Sequence, residues 1–563
     1  MPSLRLIVST FLLLSACGSD APVPNKQAVV ATERAPSDET PGDSALRVPS
    51  IDTLRMHISN LADDTMQGRR PGTEGGRTAE RYLKAQMEHL GLLPAGDNGT
   101  FRQRVPIRGV TMDPETARFS LTKSGGKATV LEFGAQIVAT SFQAAGQQDF
   151  DSKLVFMGYG VTAPEYEWDD YAGVDVTGKT VVVFVGDPPV TDGRFRGHAM
   201  TYYGRWSYKF ERALEAGAVA CLVIHEAAPA SYGWHVVEGS WSGERFGLRQ
   251  SDEGLVPALG FQGWLHEDAA TALAASSGTT LADWHTEAMT PGFVGRPLKL
   301  RIAASFQTTE RDVEANNIIG KLPGRDTPDE AVVITAHWDH LGHSPAPFES
   351  NGIFNGAIDN ASGLAGMLVT AASLLELQRK GRGPKRSVIF LATTAEEQGL
   401  LGSRYYADHA IVPLNNIVGV ANLDSMNVDG RTNSVVIVGA GQSTLEDTLA
   451  EVVASQGRHA LPDSRPESGG YYRSDQFSFA RRGIPAVYFR GSTDMGVGGI
   501  EAGTKLAKIR SDRYHTVFDK YDPAWSLEGT LQDVETLVDL VLRVANADKR
   551  PTWKSSSEFT NIR

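Results

Sequence analysis

The run Ala331-Val332-Val333-Ile334-Thr335-Ala336, closed by His337, decides the fold. Its unbroken small and β-branched side chains lack the polar alternation of a strand with one wet face, so they predict a strand buried on both faces, as in a parallel sheet. The pattern returns in Ser387-Val388-Ile389-Phe390-Leu391-Ala392 and in Ile417-Val418-Gly419-Val420-Ala421. Between the first two runs, residues 362–378 carry Leu364, Leu368, Ala371 and Leu375 at helical spacing. Strand, helix, strand implies an α/β fold with a mostly parallel central sheet flanked by helices.

In open sheets of this kind ligands gather beyond the carboxyl ends of the strands. There the chain places His337, Asp359, the pair Glu396-Glu397, and Asp424, with His515 further on. Imidazole and carboxylate donors without thiolates suit zinc. Two divalent ions need a carboxylate shared between them, and Asp359, in Gly356-Ala357-Ile358-Asp359-Asn360, is the natural bridge. Glu396 is then free to act as general base. Asp339, two residues after His337, is placed to accept the ring N–H and fix its tautomer. Taken singly, each motif has a plain alternative. A Glu-Glu pair is usually a solvated helix start, His337 to His340 could be a surface loop, and Asp359 could be a helix cap.

The strings A-H-W-D-H-L-G, G-A-I-D-N-A-S-G, T-A-E-E-Q-G-L-L-G-S, N-L-D-S-M-N and Y-H-T-V-F-D resemble the co-catalytic zinc aminopeptidase family, which includes bacterial leucyl aminopeptidases, glutamate carboxypeptidase II and the catalytically inactive transferrin receptor. The resemblance covers roughly residues 310–548, with a shorter N-terminal stretch. It implies two Zn2+ ions, one held by His337 and Asp424, the other by Glu397 and His515, with Asp359 bridging and Glu396 as base. It also assigns Tyr471 to the tetrahedral oxyanion, with an aromatic lid contact as the alternative, and leaves His340 and His343 as loop or outer residues. The family commonly has His after Ser-Asp where this chain has Gln476. The implied activity is that of an exopeptidase, an aminopeptidase acting on peptides with a free N-terminus through a metal-bridged hydroxide. A carboxypeptidase, a glutaminyl-cyclase-like enzyme and a non-catalytic binding protein are the alternatives. No unmistakable arginine cluster for a C-terminal carboxylate stands out.

Residues 135–300 change character to short strands and Gly-rich turns, and resemble the protease-associated domain inserted in many members of that family. Its role is read either as a lid over the metals or as inert packing. The catalytic domain is expected over 51–134 and 301–548, with a tail over 549–563. Gly158-x-Gly160 is no dinucleotide fingerprint, since a third glycine is lacking. No Gly-x-Ser-x-Gly elbow exists either.

Arg5 followed by the apolar run 6–14 reads as a secretory signal. Leu14-Ser15-Ala16-Cys17 resembles the bacterial lipobox, so residues 1–17 are expected to be a lipoprotein signal peptide, with Cys17 lipidated. Gly18 after it favours an outer-membrane anchor facing the periplasm. Residues 18–50 have the composition of a flexible tether. No other stretch reads as apolar enough to cross a bilayer. The second cysteine, Cys221, sits among apolar residues and reads as core. Lys plus Arg against Asp plus Glu gives 54 − 67 = −13, without a basic run, which argues against nucleic acid as a partner.

Overall fold

The computed structural model describes residues 50–123, 126–143, 145–249, 257–344, 351–560 and 562. The signal segment, Cys17 and the tether up to residue 49 lie outside the described residues. Two helices open the chain. Ser50 caps α1 (Ile51–Leu61) by accepting from the Thr53 N–H, and Thr73 caps α2 (Glu74–Leu90) in the same way through Gly76. Gly91, at φ 85°, closes α2 in the left-handed conformation that favours glycine.

A β-rich stretch follows. Its main strands are β1 (Arg102–Met112), β2 (Gly146–Phe156), β3 (Thr180–Phe184), β4 (Ala220–Ile224) and β5 (Phe261–Leu265), with α3 (Trp206–Glu215) leading into β4. β3, β4 and β5 are parallel neighbours, and β5 pairs antiparallel with 137–140. Two apolar clusters fill its faces, one around Phe119, Phe156, Phe184 and Trp284, the other around Val183, Val223, Trp241 and Trp264. The long strand β6 (Arg296–Leu322) joins this part to the rest. Residues 296–308 of β6 pair with β2, 308–318 pair with β1, and 318–322 pair with residues 388–392. The boundary expected near residue 300 therefore falls inside one continuous strand.

The catalytic-side sheet is built from β7 (Thr327–His337), β8 (Arg386–Thr393), β9 (Ile417–Asn422) and β10 (Ala486–Gly491). Its order is β6-β8-β7-β9-β10, with β8, β7, β9 and β10 parallel to one another, β6 antiparallel to β8, and residues 434–437 continuing it antiparallel beyond β10. Val332, Ile334 and Ala336 join one apolar cluster while Ala331 and Val333 join another. Both faces are thus covered, as the unbroken apolar run requires. On the larger face lies α4 (Gly363–Arg379), packed against α1, β7 and the last helix. Two further helices, α5 (Gly499–Arg513) and α6 (Glu528–Asn546), follow the last of these strands.

One expectation is corrected here. The helical segment Ala357–Arg379 is long and apolar enough to cross a bilayer, but nearly all of it is buried inside the protein. Its apolar surface serves the core. The tail also packs, with Phe559 buried and the Trp553 indole N–H donating to the Gly483 carbonyl.

Candidate metal centre

Strand register brings the site together. His337 ends β7 opposite Thr393 at the end of β8, and Thr335 lies opposite Asn422 at the end of β9. The residues just beyond, Glu396-Glu397 and Asp424, must then emerge on the same side as His337. Asp359 comes from the turn that opens α4, and His515 from the segment after α5. Ala395, Ser425 and His515 have φ of 52°, 56° and 55°, left-handed conformations on the turns that aim these side chains.

Asp359 faces two imidazoles at once. Its Oδ1 lies 3.1 Å from His337 Nε2, and its Oδ2 lies 3.3 Å from His515 Nε2. Asp424 Oδ1 stands 3.5 Å from the first ring, and Glu397 Oε2 stands 3.0 Å from the second. Each imidazole thus sits with one oxygen of Asp359 and one further carboxylate. Glu396 belongs beside the first set, since donor atoms of His337, Glu396 and Asp424 lie within 4.8 Å of one another.

Neighbours hold these groups in place. His340 Nδ1 is 2.6 Å from Glu397 Oε1, leaving Oε2 for the His515 side. The Ser474 hydroxyl donates to Asp424 Oδ2 at 2.7 Å. Asp519 accepts from the backbone N–H of Ile358 and Asp359 at 3.0 Å each, fixing the turn that carries the shared carboxylate. Arg69, fully buried, donates to the carbonyls of Trp338, Leu61, Asn355 and Gly356. Sequence reading missed both Asp519 and Arg69. The aspartate could have been found, because it closes the Y-H-T-V-F-D string four residues after His515.

The charges explain the protonation. Burial and then the carboxylates of Asp424, Glu397 and Asp475 push Glu396 well above the carboxylate range, against the pull of His337. Burial also disfavours the Glu397 anion, yet His515 and His340 outweigh it and bring the carboxyl down to about 2. For His515 burial is overcome by Glu397 and Asp359, which raise the ring to about 10.

The donor set fits a pair of divalent ions. His515 Nε2 is buried and has no hydrogen-bond partner of acceptable geometry, although two carboxylates stand within 3.3 Å. Three nitrogen or oxygen donors per position, with a fourth place left for water or substrate, is the zinc pattern of a catalytic site.

Two expected roles change. His337 Nδ1 faces the Asp339 backbone carbonyl at 3.1 Å, while the Asp339 carboxylate accepts from the N–H of Glu396 at 3.0 Å and of Glu397 at 3.4 Å. Asp339 therefore holds the ring through its backbone carbonyl and the glutamate pair through its carboxylate, whose Oδ1 stands 4.0 Å from the ring nitrogen. Tyr471 is buried with its hydroxyl donating to the Ala486 carbonyl at 3.0 Å, turned away from the carboxylates by the short turn Gly470–Arg473. Gln476 is a structural link, joining the Asn422 amide to the Tyr471 carbonyl. Trp338 and Phe489 are core, whereas Tyr472 lines the cavity.

That cavity, of about 870 Å3, reaches from Asp359, Glu396, Glu397, Asp424 and His515 to the β-rich part at Arg205. Tyr514 lines it, its ring stacked on His515 with centroids 3.9 Å apart. More than half of the Tyr514 surface is exposed, so the residue is accessible from the cavity.

Asp519→Ala removes two acceptors from the Asp359 turn without touching a ligand. Zinc affinity is expected to fall about 10- to 100-fold, read by competition with a chromogenic chelator, and an unchanged affinity would refute the positioning role.

Residues 317–538 match the family model Peptidase family M28. The chain is 29% identical over 171 residues to a probable zinc metalloprotease of Phaeosphaeria nodorum, covering 29% of this chain and 31% of that protein. It is 29% identical over 211 residues to leupeptin-inactivating enzyme 1 of Streptomyces exfoliatus, covering 37% and 41% respectively. The chain thus spans less than half the length of these curated relatives. Among solved structures, an aminopeptidase from Aneurinibacillus sp. strain AM-1 is similar at a TM-score of 0.49 and 18% identity, covering 89% of this chain and 95% of that one.

Proposed function

We propose that this chain is a zinc-dependent metallopeptidase related to Peptidase family M28, and within that class an aminopeptidase that removes N-terminal residues from peptides. The observation that carries the reading is Asp359, whose two oxygens address two different histidines, each with its own further carboxylate. His337, Asp359 and Asp424 would hold one zinc, and His515, Asp359 and Glu397 the other. Bound there, the ions would polarise a scissile carbonyl and lower the pKa of water between them.

The chain's own residues do the rest. Glu396, buried beside His337 and Asp424, takes the proton of the attacking water on its carboxylate and returns it to the leaving amine nitrogen. Asp339 fixes its backbone. The O–H of Tyr514, rather than that of Tyr471, is the donor available for the oxyanion, because it opens on the cavity beside His515. Sequence signals further support export as a periplasm-facing lipoprotein anchored through Cys17, and residues 135–300 as a protease-associated insertion.

A library of short peptides with free and acetylated N-termini tests the reading, together with elemental analysis. Two zinc ions per chain and cleavage of only the free-amine set are expected. Exhaustive chelation should abolish turnover, and two equivalents of zinc should restore it. Cleavage persisting in the metal-free protein would overturn the proposal.

A further inference from the structure

The helix α5 contributes almost nothing to the core: of its 15 residues only Gly503 is buried. At that residue the helix stands on the cavity wall, so closely that a β-carbon at 503 would fall 1.9 Å from the Thr493 carbonyl oxygen. The ion pair of Arg510 with Asp429 fixes it a second time. Its outer stripe is charged and paired within itself, Lys505 to Glu501 and Lys508 to Asp512. Exposed apolar side chains nonetheless gather on and around it. Val497 is 89% and Ile500 65% exposed, and Ile509, Tyr514 and Phe518 are also open to solvent. Scattered apolar side chains on a surface need no reason, whereas a group of them at the rim of a cavity marks a binding surface.

Helical spacing divides the group. Ile500, Ala507, Ser511 and Tyr514 follow at intervals of seven, four and three residues, which puts them on one flank, and the last three line the cavity. Ile509, nine residues after Ile500, falls half a turn away on the opposite flank. The cavity flank therefore begins beside His515 and leads outward to Ile500 over about 21 Å, at about 1.5 Å per residue.

We propose that this flank of α5, from Tyr514 out to Ile500 and Val497, binds the apolar downstream residues of a peptide whose N-terminal residue lies at the carboxylate cluster. The inference rests on the peptidase reading above. Continuity selects the occupant: the chain that follows a residue held in the cavity leaves along its wall, and α5 carries that wall beyond the rim with apolar surface. An extended chain advances about 3.3 Å per residue, so the flank accommodates about six residues. The substrate class is then apolar peptides of about seven residues or more, rather than dipeptides or charged segments.

The test compares Leu-Gly-Ala-Val-Val-Ala-Val with the peptide carrying serine for each valine, and Leu-Gly-Val with Leu-Gly-Ser, on the zinc-loaded enzyme. The apolar heptapeptide is expected to exceed its serine counterpart about tenfold in kcat/KM, through KM, the effect of burying one apolar side chain. The tripeptides should differ less than about twofold, because they end before Ile500. Val497→Ser combined with Ile500→Ser should bring the heptapeptide ratio toward one, while cleavage of leucine p-nitroanilide, which has no downstream residues, stays unchanged. Ile509→Ser, on the opposite flank, should keep the preference. Equal use of the two heptapeptides by the parent overturns the proposal. So does a preference that survives the double substitution, that Ile509→Ser removes equally, or that the tripeptides already show in full. Should no peptide be cleaved, the peptidase reading fails by itself, and calorimetric binding of the N-acetylated apolar heptapeptide decides the surface. Binding lost in the double variant upholds it; no binding, or binding that the double variant retains, removes it.

Discussion

Glu396→Gln is expected to keep both metals and lose turnover by about 100- to 10,000-fold, the range spanned by a positioned proton carrier. The substitution is nearly isosteric and leaves the backbone N–H of residue 396 on Asp339. Nothing in the two sets centred on His337 and His515 is removed, because Asp359, Asp424 and Glu397 supply the nearest oxygens to those rings. The loss should lie in kcat, with KM nearly constant, since the proton is moved only as the reaction proceeds. Full activity with metal content confirmed by elemental analysis would rule the mechanism out.

Arg69→Met is expected to destabilise the protein by about 3–5 kcal/mol, the cost of breaking a buried charge network from one side. Four carbonyls from three separated segments converge on this one side chain, at 2.6 to 2.9 Å, and methionine takes this donor from all four, leaving only that of Gly356 with another, the Ala361 N–H. Burial lowers the guanidinium to about 10, while Asp519, Asp359, Asp339 and Glu397 hold its charge. Lysine should recover only part of the loss, because a single ammonium cannot span carbonyls on both sides of the Asp359 turn. Urea denaturation of the zinc-free protein reads the effect apart from metal binding. A variant within about 1 kcal/mol of the parent would show that water replaces the donor.

The parallel sheet was legible because apolar runs such as 331–336 and 387–392 have few other places to go. The convergence of Asp359 on His337 and His515 followed from strand ends and donor chemistry together. What sequence could not reveal acts across chain distance or through direction. Arg69 and Trp338 are 269 residues apart, and the bond between them involves a backbone carbonyl, which every residue has. Tyr471 occupies a suggestive string, but the turn Gly470–Arg473 decides where its ring points. Asp339 is adjacent to the right imidazole and still spends its carboxylate on the next strand's glutamates.

The uninterrupted strand Arg296–Leu322 has a mechanical corollary. Its early residues are zipped to β2 and its last ones to β8, whose end leads to the catalytic glutamates. Domain closure by swinging about a hinge would require breaking ladder bonds on both sides of one rod. The aperture over the cluster of His337, Asp359 and His515 is therefore set by side chains and surface loops, and it should stay the same width whether or not a ligand is bound.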